Sequence, residues 1–415
     1  MVDRRAFMAM ASLGLMHPFG ASSGLRRLAD NFTTGNSPVN IEPFTIRIPD
    51  AEIADLKHRL QRARWTDAIA GAGWDDGANV DYMRALCAYW ANDFDWRAQE
   101  RRLNGFPQFK AMIDGSAVHF IHARGKGPNP LPIIVTHGWP SSFAEFSKLI
   151  PRLTDPVAFG GNPEDSFDVV VPSMPGYGFS DRPTARGMTP TAVSGVMAKL
   201  MTDVLGYDRF VAHGGDIGAG VTNRLGLNHG DRVAAIHAMA ALVPANTDNL
   251  SPAEQAYTKY NDDWERDEGA YGHQQRSKPQ TLAIGLNDSP IGLAAWIVEK
   301  WRGWSECGGD VERSFTKDEL LTQVSLYWFT QTIGSSVRMY YESAHTPRPP
   351  DNRRIETPAR LFLTREKVDL CPPEWAQRSY ANLSYAVADK GGHFLAAEEP
   401  DLLAIDLRNW FRAFR

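Results

Sequence analysis

Apolar and polar positions follow three successive rhythms along the chain. The first mixes strand and helix signals. Phe44-Thr-Ile-Arg-Ile48 alternates and predicts a short strand, and Pro49-Asp50 opens a helix in which Ile53, Leu56 and Leu60 recur at helical spacing. A second helix is predicted over 80–94, with Tyr82, Leu86, Tyr89 and Trp90 on its buried face. Asp114-Gly115, between the apolar runs 109–113 and 116–122, predicts a hairpin turn. The second rhythm consists of short, continuously apolar runs at 131–136, 168–172 and 207–213. Each ends in a glycine-containing turn: His137-Gly-Trp-Pro140, Pro175-Gly-Tyr-Gly-Phe-Ser180 and Gly214-Gly-Asp-Ile-Gly218. Helical segments such as 191–205 intervene. Fully apolar strands that alternate with helices predict a mostly parallel sheet covered on both faces, with its chemistry at the carboxyl ends of the strands.

The third rhythm, over 252–347, is rich in Trp and Tyr and helical in pattern, for instance at 291–301 and 317–332, and reads as an inserted helical cap. Core strands resume at 359–364 and 384–388, and an amphipathic helix over 400–414 closes the chain. The expected division is a signal-like segment and linker at 1–35, an N-terminal unit at 36–125, core at 126–250, cap at 251–347 and core again at 348–415.

Composition narrows the function. Of 415 residues, 43% are hydrophobic and 22% charged, as in a soluble globular protein, and the net charge of -5 without a Lys/Arg cluster excludes a nucleic-acid partner. The 3 cysteines have no metal-ligand spacing, and no apolar stretch reaches the length of a membrane span. Arg4-Arg5, the apolar run 9–16 and the small residues at 20–24 together resemble a twin-arginine export signal. The expectation is export to the periplasm, with the cytoplasm as the alternative.

The chemistry concentrates in the turns. Gly214-Gly-Asp-Ile-Gly-Ala219 sets Asp216 between small residues at a strand-to-helix turn. Such a turn lifts a nucleophile over the sheet edge, and only small neighbours permit it. His393, in Gly391-Gly-His-Phe394, follows the last predicted strand and completes the nucleophile, acid, histidine order. The acid belongs after the strand at 361–364. Glu366 is the expected residue and Asp369 its rival. In His137-Gly-Trp-Pro140, the Trp139 backbone N–H, together with that of Ile217, would converge on a developing oxyanion. These features make an α/β-hydrolase fold.

They also resemble the epoxide hydrolases of the microsomal and juvenile-hormone type, from about Ile41 to the C-terminus. The resemblance rests on Phe44-Thr-Ile-Arg-Ile-Pro49, Asp55-Leu-Lys-His-Arg-Leu60, Phe94-Asp-Trp-Arg97 and Leu103-Asn-Gly-Phe-Pro107, on His137-Gly-Trp-Pro-Ser-Ser142, on Pro175-Gly-Tyr-Gly-Phe-Ser180, and on Leu286-Asn-Asp-Ser-Pro-Ile-Gly-Leu-Ala-Ala295. It implies that the N-terminal unit is the meander of that family and that two cap tyrosines lie over Asp216. Tyr271, in Glu268-Gly-Ala-Tyr-Gly-His273, fits the first, and Tyr340, in Ser336-Val-Arg-Met-Tyr340, fits the second, with Tyr341 as a one-residue rival. The family's acid usually follows a Phe-Pro pair, whereas this chain reads Phe362-Leu-Thr-Arg-Glu366. The implied activity is hydrolysis of a lipophilic epoxide to a vicinal diol through an aspartyl ester, with water as the only other reactant and no metal or organic cofactor. A homo-oligomer is compatible with the sequence. Two rivals remain at this point: a haloalkane dehalogenase, which needs a halide-binding donor where this chain has Ile217, and a hydrolase-fold binding protein without catalysis.

Overall fold

The apolar runs become strands β1 (Ile41–Phe44), β2 (Gln108–Ile113), β3 (Ser116–Ala123), β4 (Leu131–Thr136), β5 (Phe167–Pro172), β6 (Phe210–Gly214), β7 (Val233–Ala238), β8 (Ala359–Leu363) and β9 (Leu383–Val387). They form one sheet in the order β1-β2-β3-β5-β4-β6-β7-β8-β9 in this computed structural model, which describes residues 41–347, 351–366 and 368–415. The twin-arginine segment lies outside the described residues. Strands β1, β2, β3 and β5 pair antiparallel, and the sheet is parallel from β5 through β4 to β9. Every residue of β5, β6 and β7 is buried, because helices cover both faces. The three Gly-containing turns all leave the carboxyl ends of parallel strands: β4, β5 and β6.

Several expected elements shift, each for a local reason. The strand predicted over 44–48 is β1 at Ile41–Phe44, and the alternation beyond it serves a different partner. Ile46 and Ile48 are buried, but their amides donate to the side chains of Asn104 (2.9 Å) and Glu100 (2.7 Å) rather than to a strand. Those side chains belong to the helix Trp96–Leu103 and its C-terminal cap. That helix escapes a periodicity reading because it is strongly polar, although Asp95 caps its N-terminus. Strand β7 was also missed, although His229-Gly-Asp231 punctuates its start. The run at 207–213 pairs only from Phe210, since the Tyr207 hydroxyl turns aside to donate to Asp168 (2.9 Å). The helix expected over 191–205 is regular over Pro190–Lys199 and then widens into a π turn to Val204, and that expected to Thr332 stops at Thr330 with Gln331 in a left-handed conformation.

Between β7 and β8 the helices Pro252–Asp267, Ala270–Ser277, Pro279–Asp288, Pro290–Trp304, Lys317–Thr330 and Ile333–His345 form an insertion. The N-terminal unit grips it. The Tyr89 hydroxyl donates to Asp318 (2.9 Å), the Trp90 indole to Ser325 Oγ (3.0 Å), and the Trp96 ring packs on Phe329. The same helix, Lys317–Thr330, also holds the His-Gly-Trp-Pro turn. Tyr327 donates to the Ser141 carbonyl (2.7 Å), and Gln323 accepts from Ser142 (2.6 Å). The N-terminal unit thus reaches the turn through one helix. Among the described residues, no single helix is long and apolar enough to cross a membrane.

Candidate active site

Asp216 joins β6 to the helix Ile217–Asn228 with φ 52° and ψ -128°, a conformation that costs a non-glycine residue of order 1–3 kcal/mol and marks a functional position. The crowding around it explains the small residues of the motif. A Cβ on Gly138 would lie 2.4 Å from the Asp216 side chain, and one on Gly218 would lie 2.0 Å from the Thr136 carbonyl. With both glycines, the turn after β4 closes onto the elbow, and the Trp139 N–H donates to Asp216 Oδ1 at 2.8 Å. Ile217 is the first residue of its helix, where backbone amides have no partner within the helix and the dipole favours negative charge.

His393 approaches from the other side. Its Nδ1 lies 2.9 Å from Glu366 Oε2, and its Nε2 lies 3.6 Å from Asp216 Oδ2. Asp369 Oδ2 is 3.9 Å from the same Nδ1, outside hydrogen-bond reach, so the structure pairs the histidine with Glu366 rather than with its rival. The loop carrying His393 is fixed by a carboxylate that sequence reasoning missed. Glu398 accepts from the amides of Gly392 (3.1 Å), Phe394 (3.0 Å) and Glu306 (2.8 Å), while the His393 amide donates to the Trp304 carbonyl (2.9 Å).

The electrostatics follow from enclosure. Burial opposes charge on the imidazole, but the carboxylates of Glu366, Asp216 and Asp369 outweigh it and push His393 up to about 10. Burial, with Glu366 beside it, pushes Asp369 up to about 7. Glu366, Asp369 and His393 each present a ligand atom within 4.8 Å of the others, a spacing a cation could use. The Glu366–His393 pairing accounts for two of those atoms without one.

Tyr271 and Tyr340 come from the insertion and meet over the Trp139 ring. Tyr271 stacks on it at 5.6 Å and 9°, Tyr340 meets it edge-on at 6.0 Å, and the two tyrosines lie 6.2 Å apart. Burial, and then the Asp216 charge, raises the Tyr271 phenol; burial, Tyr271 and Asp216 raise Tyr340. Both phenols therefore keep their protons. Tyr341 faces away, stacked on His345 at 3.9 Å, with the Arg186 guanidinium 4.8 Å from its ring centroid. Lys300, also missed from sequence, sets its ammonium 4.8 Å from the Tyr271 ring centroid, a cation–π contact that helps to hold the ring.

A carboxylate on a strained turn, an imidazole paired with Glu366, an amide donor and two phenols are thus gathered around Trp139 and Asp216. Residues 41–146 match the family model for the epoxide hydrolase N terminus, and residues 132–301 match that for the alpha/beta hydrolase fold. Epoxide hydrolase 1 of Sus scrofa is 36% identical over 409 residues, covering 89% of this chain and 88% of that one. The chain belongs to the epoxide hydrolase family. Juvenile hormone epoxide hydrolase of Bombyx mori is 31% identical, with 91% of this chain and 87% of that protein covered. The crystal structure of the Bombyx mori enzyme superposes with a TM-score of 0.81 over 91% of this chain and 95% of that one, at 29% identity. The Aspergillus niger epoxide hydrolase gives 0.77 over 91% and 97%, again at 29% identity. The N-terminal unit that grips the insertion is thus a part of the epoxide hydrolase that has its own family model.

Proposed function

We propose that this epoxide hydrolase opens a lipophilic epoxide through an ester on Asp216, with Tyr271 and Tyr340 as the acids and His393, oriented by Glu366, as the base. One observation carries the reading. The Asp216 carboxylate is held between the Trp139 amide and His393, while two protonated phenols meet over the same Trp139.

The Asp216 carboxylate attacks one ring carbon, the C–O bond breaks, and the alkoxide takes a tyrosine proton. Loss of the Asp216 charge then works on both partners. The phenols lose one of the influences that hold their protons, and the imidazolium loses one of the three carboxylates that sustain it. His393 can then return a proton to the phenolate and become a free base. It takes a proton from water as the hydroxide adds to the ester carbonyl, and the oxyanion accepts from the Trp139 and Ile217 amides. Collapse releases the diol, restores the Asp216 carboxylate and leaves His393 protonated. Ile217 has no N–H on its side chain to hold a halide, which favours the epoxide over a haloalkane. The aromatic insertion acts as the cap over a lipophilic substrate, and the Arg4-Arg5 segment directs the folded chain to export.

Turnover in heavy-oxygen water tests this. The first diol formed should carry unlabelled oxygen from Asp216, label should then appear in the Asp216 carboxylate, and Asp216→Ala should be inactive. Full diol formation by the alanine variant would overturn the mechanism.

A further inference from the structure

Behind the elbow, Gly138, Ser141, Glu145, His213, Asp216 and His393 line a small cavity that neither Tyr271 nor Tyr340 reaches. Two titratable groups among them have no part in the chemistry described above: Glu145, in the short helix after the His-Gly-Trp-Pro turn, and His213, the penultimate residue of β6.

The state of His213 can be worked out from its neighbours. It is fully buried, and its Nδ1 lies 3.0 Å from Nδ1 of His237, whose Nε2 lies 3.0 Å from Asp406 Oδ2. Burial lowers both imidazoles, so both are neutral and each carries one proton. Asp406 accepts the His237 proton on Nε2. The proton between the rings must therefore sit on His213 Nδ1, which leaves His213 Nε2 a bare acceptor. That atom is buried and has no protein partner. A cavity wall with an unmatched acceptor, a carboxyl and the catalytic imidazole provides the two to four polar contacts that hold a buried water.

We propose that Glu145 is the residue that positions the hydrolytic water, holding it against His393 in this cavity for attack on the Asp216 ester. The inference rests on the ester mechanism proposed above. The water gives one proton to His393 Nε2 as its oxygen bonds to the Asp216 carbonyl carbon, and its other hydrogen is held by the Glu145 carboxylate. The environment of Glu145 suits this task. Burial pushes its carboxyl up to about 7, against the pull of the Ser141 hydrogen bond and the His393 charge. Tyr271 and Tyr340 do not line this cavity, although both pack on Trp139, which does, so a water held by Glu145 need not occupy the place of an oxygen held by the phenols. Glu145 therefore bears on ester hydrolysis alone and not on ring opening.

The test separates the two half-reactions in the full-length enzyme with styrene oxide as probe. Glu145→Gln and Glu145→Ala are compared with the unaltered enzyme by rapid quench and mass spectrometry of the protein, alongside steady-state kinetics. The expected result is a fall in kcat of about a hundredfold with KM falling in step, so that kcat/KM is nearly preserved, and an ester that accumulates on Asp216. A merely structural role would lower kcat and kcat/KM together without accumulation, and that result overturns the proposal. If the unaltered enzyme never forms an ester on Asp216, the underlying mechanism fails. If it does and the variants hydrolyse that ester at the normal rate, only the role of Glu145 fails. Should neither variant fold, a crystal structure of the unaltered chain decides: a water in hydrogen-bond reach of both Glu145 and His393 supports the assignment, and none there overturns it.

Discussion

On the sheet side of the site, Asp216 is held by backbone. Its φ of 52°, the bare Cα of Gly138 against its carboxylate and the 2.8 Å bond from the Trp139 amide leave the side chain one position. On the insertion side, Tyr271 and Tyr340 are held by rings, stacked or edge-on to Trp139 and to each other at 5.6 to 6.2 Å. Strained turns and amides tolerate no shift of a few tenths of an ångström, whereas ring packing tolerates small displacements at little cost. The contrast matches the two tasks of the proposed mechanism. Addition of hydroxide to an ester needs amide donors aimed where charge develops, while protonation of an alkoxide must serve substrates of differing shape.

The largest expected effect attacks the backbone-held side. Gly138→Ala puts a methyl group 2.4 Å from the Asp216 side chain, so either the carboxylate or the Trp139 amide must move. A fall of about a thousandfold in kcat is expected, the scale of losing an oxyanion donor, with the fold intact by circular dichroism. Activity within tenfold of the unaltered enzyme would show that the elbow is softer than its geometry implies.

The ring-held side should give a smaller and more local response. Tyr340→Phe keeps the edge-on packing and removes only the phenol, and because Tyr271 remains, a loss of about a hundredfold in the rate of ester formation is expected. Tyr341→Phe, one residue on, should change that rate by less than about twofold, since Tyr341 stacks on His345 away from the site. Single-turnover measurement of both variants decides between them, and equal losses would erase the distinction between neighbours.

The same contrast explains what could be read from the sequence. The elbow and the His-Gly-Trp-Pro turn were legible because crowding admits only glycine at 138 and 218, and this constraint is written into short stretches of consecutive letters. Glu366 could be placed by strand order, but choosing it over Asp369 needed the 2.9 and 3.9 Å separations. Tyr271 and Tyr340 lie on separate helices and meet only through packing, so periodicity is silent about them, and the family resemblance supplied both. Lys300 carries no local signature, since the ring it meets is distant in sequence, and Glu398, although close in sequence to the amides it holds, belongs to no motif that marks it. In the fold, the core strands β4 and β5 were read within a residue because burial on both faces forces unbroken apolar runs. The stretch after Phe44 was misread because the side chains of Asn104 and Glu100 take the place of a neighbouring strand.

The smallest expected effect tests whether the two sides are mechanically joined. The helix Lys317–Thr330 touches the N-terminal unit through Ser325 and the oxyanion turn through Gln323 and Tyr327. Ser325→Ala leaves the Trp90 indole N–H buried without its acceptor, at nearly constant volume, and should lower unfolding free energy by about 1–2 kcal/mol. If the N-terminal unit only covers surface, kcat will not change. If it sets the pose of the helix, the loosened contact reaches Ser141 and Ser142 one and two residues beyond Pro140, and kcat should fall a few-fold. Denaturant unfolding and rapid quench on the one variant separate these outcomes. A loss confined to ester hydrolysis would show that the helix supports the oxyanion turn and leaves the tyrosines undisturbed.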